Sequence, residues 1–452
     1  MPLSKPQLLR ILLVQEIRNI LLAPPLWGLL VILSMLVGYS FIQAVSLFSQ
    51  ASQTALTYPE LASGMNPLEG IFVPTFGAYY LIETLLLPFI ILRLIGHDKQ
   101  NGTLKILLQL PLSTFALNGV KLAAMAVVWL LLLVPAIAAV ANWLLLGGVI
   151  YYPEILTLFL GHSLYALTII CIAMFATAVS KSLPTAAMIC LSVTLGCWVL
   201  DFAVGSGQGW LGIVNSWSLT TLLHQFESSL LSLTTITNFL ILALLFFIAA
   251  AVWLHPGRRL RHKIQASLLI VTVLLLAVVS TNQLSGYMDV TENQRHSFNP
   301  ADVRALRQMN KPLTITIHLA PGDGRYYDFN HEVLSKLKRI IPDLRLIFAD
   351  TASNGLFSAS GSDTYGLIEY QYAGQKEQSY SNSPEEILPL LHKLAGQKVT
   401  QDKLQSYSGH PLIADASGSK VWFYLLLPLL FLLTAGLIQR PQLCRNLGNS
   451  SE

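Results

Sequence analysis

Arg93-Leu-Ile-Gly-His-Asp-Lys-Gln-Asn-Gly-Thr-Leu-Lys-Ile-Leu-Leu-Gln-Leu-Pro-Leu-Ser113 is a polar link between two long apolar runs. Asn101-Gly102 is a turn signal. Thr103 is a helix starter, and the apolar run behind it ends at Pro111, which cannot continue a helix. The layout predicts a short helix near 102–113, presented on the face of a membrane between two spans.

The surrounding composition sets the class. Hydrophobic residues make up 53% of the chain and charged residues 12%, about half the charged share of a soluble domain. Crossing a hydrocarbon core takes about 20 apolar residues in a helix. Runs that meet this lie near 26–47, 76–95, 119–147, 155–179, 184–204, 234–254, 264–283 and 421–438. The fold class expected is a polytopic α-helical membrane protein of about eight spans with an inserted α/β domain. The first run starts late and lacks a small-residue cleavage site, unlike a signal peptide.

Lys and Arg orient the spans. They occur before the first span (Lys5, Arg10, Arg18), in the second connection (Arg93, Lys99, Lys105, Lys121), in the fourth (Lys181) and in the sixth (Arg258, Arg259, Arg261, Lys263). Loops 48–75, 148–154 and 205–233 contain none, and carry Glu60, Glu69, Glu154 and Glu227 instead. Both termini are therefore expected in the cytoplasm, with Arg440 and Arg445 after the last span in agreement. The net charge of +4 reflects this arrangement and gives no reason to expect nucleic-acid binding.

The organisation expected is an interfacial elbow helix over 1–24, closed by Pro24-Pro25, then a six-span core over 25–258. A seventh span at 259–283 leads to a soluble domain at 284–420. An eighth span at 421–440 and a tail at 441–452 follow. In the soluble part, Leu313–Leu319 alternates with the period of a half-buried strand, and 329–341 has helical spacing. Leu344–Ala349, Tyr365–Tyr372 and Glu377–Tyr380 read as further strands, with Gly374 in a hairpin turn. Glu385 and Glu386 mark the first turn of a helix through Leu394. This domain has no cysteine. Cys171, Cys190 and Cys197 lie in spans, where cysteine is usually a small apolar filler, and Cys444 in the tail, so the soluble domain is not held by disulfides.

Motifs for chemistry are few. No phosphate-binding G-x-x-x-x-G-K-[ST] loop is present. Gly205-Ser-Gly-Gln-Gly-Trp-Leu-Gly212 lacks the lysine and reads as a flexible or re-entrant loop, with Trp210 and Trp217 suited to a membrane interface. The histidines are scattered without metal-ligand spacing, His318 lies on the polar face of a strand, and no triad spacing occurs. No enzymatic activity, metal or cofactor is expected in this chain. Glu83, inside Tyr79-Tyr-Leu-Ile-Glu-Thr-Leu-Leu-Leu-Pro-Phe89, is an intramembrane carboxylate. Such a group is costly unless paired or protonated, which makes it a functional candidate unless it reaches water at the outer interface.

The stretch Leu87–Ser113 resembles the second-span and coupling-helix region of ABC-2 type permeases, in particular the gliding-motility-type (Gld) permease. The resemblance is carried by Asp98, Gly102, Thr103, Leu107, Leu108, Pro111 and Ser113. Lys105 departs from a place that is commonly acidic, which alters the electrostatics of the contact. Gln15–Pro24 resembles the opening elbow of that family. Asp289–Pro300, Lys311–Ile317, Tyr365–Tyr372 and the helix over 384–395 are similar to the auxiliary subunit of the same system, without its second, larger lobe.

The resemblance implies a permease subunit in a bacterial inner membrane, paired as a homodimer or with a related permease. ATP and Mg would be bound by a separate ABC ATPase that contacts Asp98, Lys99, Gly102, Thr103, Lys105, Leu107, Leu108, Pro111 and Ser113. Residues 284–420 would be periplasmic and would meet substrate or an envelope protein. The alternative implied is a machine that works on periplasmic partners and moves no substrate.

Overall fold

The computed structural model describes residues 4–204, 214–255, 257–281, 286–320, 323–341, 343–349, 365–397 and 407–448. The expectations for Gly205–Gly212, including Trp210, and for the side chains of Arg440, Cys444 and Arg445 fall outside them. Among the described residues, eight helices are long and apolar enough to cross a membrane. They are Pro24–Thr57, Leu68–Arg93, Thr114–Leu145, Tyr152–Val179, Leu183–Asp201, Leu233–Leu254, Leu260–Ala277 and Ala416–Gln439, and are called the first to eighth spans below.

The described chain divides into two compact units. One holds all eight spans, and the other covers Thr291–Tyr407. In the first, the fourth span is the hub, packing against the second, fifth and sixth. It is 72% buried over its most apolar window, whereas the seventh is 0% buried and touches mainly the sixth. The N-terminal helix, Lys5–Leu21, lies on the third span, and it stops there because Pro24 and Pro25 open the next helix, with Ala23 at its N-cap position. Strands β1 (Leu230–Ser232) and β2 (Tyr287–Asp289) pair antiparallel and tie the entry of the sixth span to the exit of the seventh.

The eighth span is held on the first by a close approach. A Cβ on Gly38 would stand 2.3 Å from Cβ of Phe423, so only glycine leaves room for that ring. Ser34 donates its hydroxyl to the Phe423 carbonyl at 2.8 Å. The strap that leads into this span runs beside the first. Leu412 and Ala414 donate backbone N–H groups to the hydroxyls of Ser52 and Ser49, at 3.0 and 3.2 Å. Serine hydroxyls thus satisfy backbone groups of an irregular segment that would otherwise lack partners.

The third span breaks near its middle, between helices Thr114–Leu132 and Val134–Leu145, because Pro135 has no N–H to give. Tyr79 repairs the break. Its hydroxyl donates to the Leu132 carbonyl and accepts from the Ala136 N–H, both at 2.8 Å.

The second unit contains a four-stranded sheet in the order β4-β3-β5-β6, formed by β3 (Leu313–Ile317), β4 (Leu344–Phe348), β5 (Ile368–Tyr372) and β6 (Gln375–Ser379). β3 and β4 are parallel and the other pairs antiparallel. Leu313, Ile315 and Ile317 point inward with Ile368 and Tyr370. The helix connecting β3 to β4 starts at Gly324, five residues before the sequence spacing suggests, because Asp323 caps it by accepting the Arg325 N–H. The β5–β6 hairpin turns through Ala373 and Gly374, both with positive φ, the geometry of a two-residue type I′ turn.

Candidate functional site

Two places in the spanning unit concentrate polar groups: the basic connection between the second and third spans, and a buried chain around Glu83.

At the connection, helix Leu87–Gln100 extends past the second span and ends at Asn101-Gly102. Gly102 has φ +77°, a conformation that glycine adopts without strain. It occupies the N-cap position, so Thr103 is the first helical residue rather than the cap. The helix that follows is Thr103–Leu107, five residues long, and single turns carry the chain to Ser113. It is shorter than the 102–113 read from the sequence because Pro111 lacks an N–H and disfavours a helical Leu110. Ser113 then starts the next helix by accepting the Ala116 N–H at 3.1 Å.

The expected contact residues fall into two groups. Thr103, Lys105, Pro111 and Ser113 are exposed, and Leu107 and Leu108 half-buried. Ile106, not singled out by the sequence, is the most outward apolar group at 67% exposed. Asp98 and Lys99 instead face inward. Lys99 donates to the carbonyls of Thr177, Ala178 and Ser180 at 3.0, 3.3 and 2.5 Å, closing the C-terminal end of the fourth span. Burial and the Lys263 charge push its pKa down.

Asp98 pairs with Lys121, which is 2% exposed and bonds Glu16 at 2.8 Å. This bridge joins the N-terminal helix, the end of the second span and the start of the third. Lys121 is therefore an internal tie rather than a loop charge. A cavity of about 490 Å³ opens beside it, bordered by Glu16, Asn19, Arg93, Asp98 and Thr103.

The second site begins at Glu83, which is 1% exposed. The reading in which it reaches water at an interface is overturned: it faces the fourth span. A π turn at Ile82–Leu86 carries it, a feature found often where a helix presents a functional side chain. His162, at 0% exposed, places Nδ1 3.2 and 3.3 Å from the two Glu83 oxygens. Its Nε2 has no hydrogen-bond partner and lies 3.7 Å from Oε1 of Glu227. Oε2 of Glu227 is 2.6 Å from Nδ1 of His224, whose Nε2 is 3.7 Å from Asp201. Asp201 accepts a hydrogen bond from Thr221 at 2.7 Å.

Carboxylates and imidazoles therefore alternate from the centre of the helix bundle to His224, which is 59% exposed. Burial alone would raise the Glu227 carboxyl. Its interactions with His162 and His224 outweigh this and hold it at about 2. The hydrogen bond to Glu227 raises His224 in turn, against burial.

Gly161 sets this geometry. Helix Leu219–Glu227 packs on the fourth span, and a Cβ on Gly161 would sit 2.3 Å from Cβ of Phe226. Gly161→Ala gains about 1 kcal/mol of helix propensity but must displace a buried ring, at a cost of about 1–3 kcal/mol. Net destabilisation in a denaturant titration is the expected outcome. Gly196→Ala, where a Cβ meets nothing within 4 Å, should be neutral or stabilising. Equal behaviour of the two variants would remove the close-contact account.

Sequence reading missed His162, His224, Asp201 and the bridging roles of Glu227, Glu16 and Lys121. His162 carried a signal: it is an ionisable side chain inside a long apolar run, the same feature that marked Glu83. Among the described residues, no group of three or more His, Cys, Asp or Glu side chains is arranged to hold a metal ion. Comparison with family models, curated proteins and solved structures gives no match.

Proposed function

We propose that this chain is the membrane subunit of an ABC-2 type transporter, driven by a separate ATPase on the cytoplasmic face. The observation that carries this reading is the short exposed helix Thr103–Leu107, braced at its root by the Asp98–Lys121–Glu16 bridge and by Lys99. A force applied to that helix reaches the N-terminal helix and the second, third and fourth spans at once. Buried ties of this kind favour rigid-body movement over local deformation.

In this reading the basic ends of the spans face the cytoplasm of a bacterial inner membrane, following the Lys and Arg distribution. The unit Thr291–Tyr407 lies in the periplasm and receives an envelope-related substrate destined for export or extraction. ATP and Mg are bound by the partner subunit, and two copies of the six-span core, or one with a related permease, complete the transporter.

A second reading has the assembly drive periplasmic partners without moving a substrate. It is favoured by the independent core of the second unit, built on Leu313, Ile315, Tyr370 and Leu391.

Capture of the ATPase tests the docking assignment. Purification of the full chain from its native membrane should recover an ATPase. Ile106→Asp, Leu108→Asp or Gly102→Asp should reduce recovery about tenfold or more, because a buried contact would then have to desolvate a carboxylate. Undiminished recovery with all three variants would sink the assignment. Deleting 291–407 should leave basal ATPase stimulation and abolish function.

A further inference from the structure

The chain Asp201–His224–Glu227–His162–Glu83 has a directional form that packing alone does not require. Each imidazole presents one ring nitrogen to the carboxylate on its inner side and the other to the carboxylate on its outer side. A histidine so placed can accept a proton at one nitrogen and release one at the other, as proton relays do. The outer end is exposed at His224, and the inner end is closed at Glu83.

We propose that Glu83 and His162 form a buried proton-binding site that exchanges with solvent through Glu227 and His224, from the end of the spans that lacks Lys and Arg. His224 takes a proton from water at Nε2 and releases the one on Nδ1 to Oε2 of Glu227. Glu227 stays ionised at rest and carries the proton only in passing. Its carboxyl then turns so that the protonated oxygen takes the place of Oε1, and the 3.7 Å gap to Nε2 of His162 must close by about 0.5 Å or more to reach hydrogen-bond length. His162 then shares its Nδ1 proton with Glu83. The balance is one proton removed from solvent and one held by the Glu83–His162 pair, with Glu227 ionised again and His224 left as its Nε2–H tautomer until its ring turns back. With the site empty, Nε2 of neutral, fully buried His162, 3.7 Å from Glu227, is the acceptor that this route requires; with the site loaded, His162 is the cation that Glu83 and Glu227 flank.

Among the described residues, the ionisable groups around the Glu83–His162 pair other than its relay partners Glu227 and His224 are few. From the second and fourth spans, the titratable neighbours are Tyr79, Tyr80 and Tyr165. From the fifth span they are Cys197 and Asp201, and the sixth span, Leu233–Leu254, contains no charged residue. A proton bound at this pair therefore changes the net charge buried in the bundle by one. That is a large perturbation in a medium where an unpaired charge costs several kcal/mol. The site does not depend on an ATPase.

The test uses the full chain in vesicles of phosphatidylethanolamine and phosphatidylglycerol, with isotope-labelled histidine, followed by infrared difference spectroscopy after a pH jump between about 5 and 9. The wild type should give paired carboxyl and imidazole bands. Glu83→Gln should remove the carboxyl part. His162→Gln, which keeps a donor toward Glu83 but cannot relay, should abolish the coupled signal. His224→Asn lies at an exposed position and should retain the amplitude while slowing its appearance roughly tenfold or more. Glu154→Gln, a buried carboxyl on the same span outside the chain, should behave as wild type. A Glu83→Gln spectrum identical to wild type, a wild type with no bands in this range, or an unchanged rate in His224→Asn would each overturn the proposal.

Discussion

Replacing Lys121 by methionine is expected to destabilise the spanning unit by about 3 kcal/mol, because it leaves the carboxylates of Glu16 and Asp98 facing each other without a cation. Methionine fills nearly the same space, so the loss reports the charge and not a cavity. Both carboxylates retain slight contact with solvent, which keeps the effect below that of a fully enclosed pair. The triple variant Lys121→Met, Glu16→Gln, Asp98→Asn should recover most of the loss, since neutral amides need no counter-charge. Unfolding midpoints in detergent, wild type against both variants, provide the check. A triple variant as unstable as the single one would show that the stabilisation comes from packing of the lysine stem. If the proposed docking is right, Lys121→Met should also weaken the transmission of ATPase activity more than ATPase binding.

His162→Leu is expected to cost a similar amount, about 3 kcal/mol, for a different reason. Glu83 is fully enclosed, and His162 is its hydrogen-bond partner and, when protonated, its counter-ion. Leucine strands the carboxyl in an apolar environment, where it must take up a proton or remain unsatisfied. The double variant His162→Leu, Glu83→Leu should be less destabilised than the sum of the two single variants, with a coupling of about 1–3 kcal/mol. Simple additivity in the double-mutant cycle would mean that the 3.2 Å contact contributes nothing to stability. His162→Leu should in addition become more stable on acidification, because protonating Glu83 relieves the stranded charge. Wild type should show no such gain.

Much of the architecture was legible residue by residue. Span existence depends on runs of apolar side chains longer than the bilayer is thick, and all eight such runs read from the sequence are helices of spanning length. Their ends shifted where a cap or a proline intervened, as at Pro24 and Ser113. The connection at 102–113 was legible as a turn followed by a helix. Its true length was not, because Pro111 and the Ser113 cap compete for the same few residues.

Glu83 was visible as a misplaced carboxyl, while His162 passed as one scattered histidine. Lys121, Glu227 and Asp98 looked like loop charges because charge counting along the chain does not record which way a side chain turns.

The sequence by itself determined what depends on neighbours in the chain: the number of apolar helices, the basic and acidic ends of the spans, the Gly102 turn and the Ala373–Gly374 hairpin. Tertiary structure alone decided the partners. His162 meets Glu83 across 79 residues, and Lys121 meets Glu16 across 105. Each pairing is fixed by how far a helix is rotated about its axis and how closely its neighbour can approach. At Gly161 that approach is set by the absence of one methyl group against Phe226. Rotation and approach are properties of packed surfaces, so no local pattern in the chain encodes them.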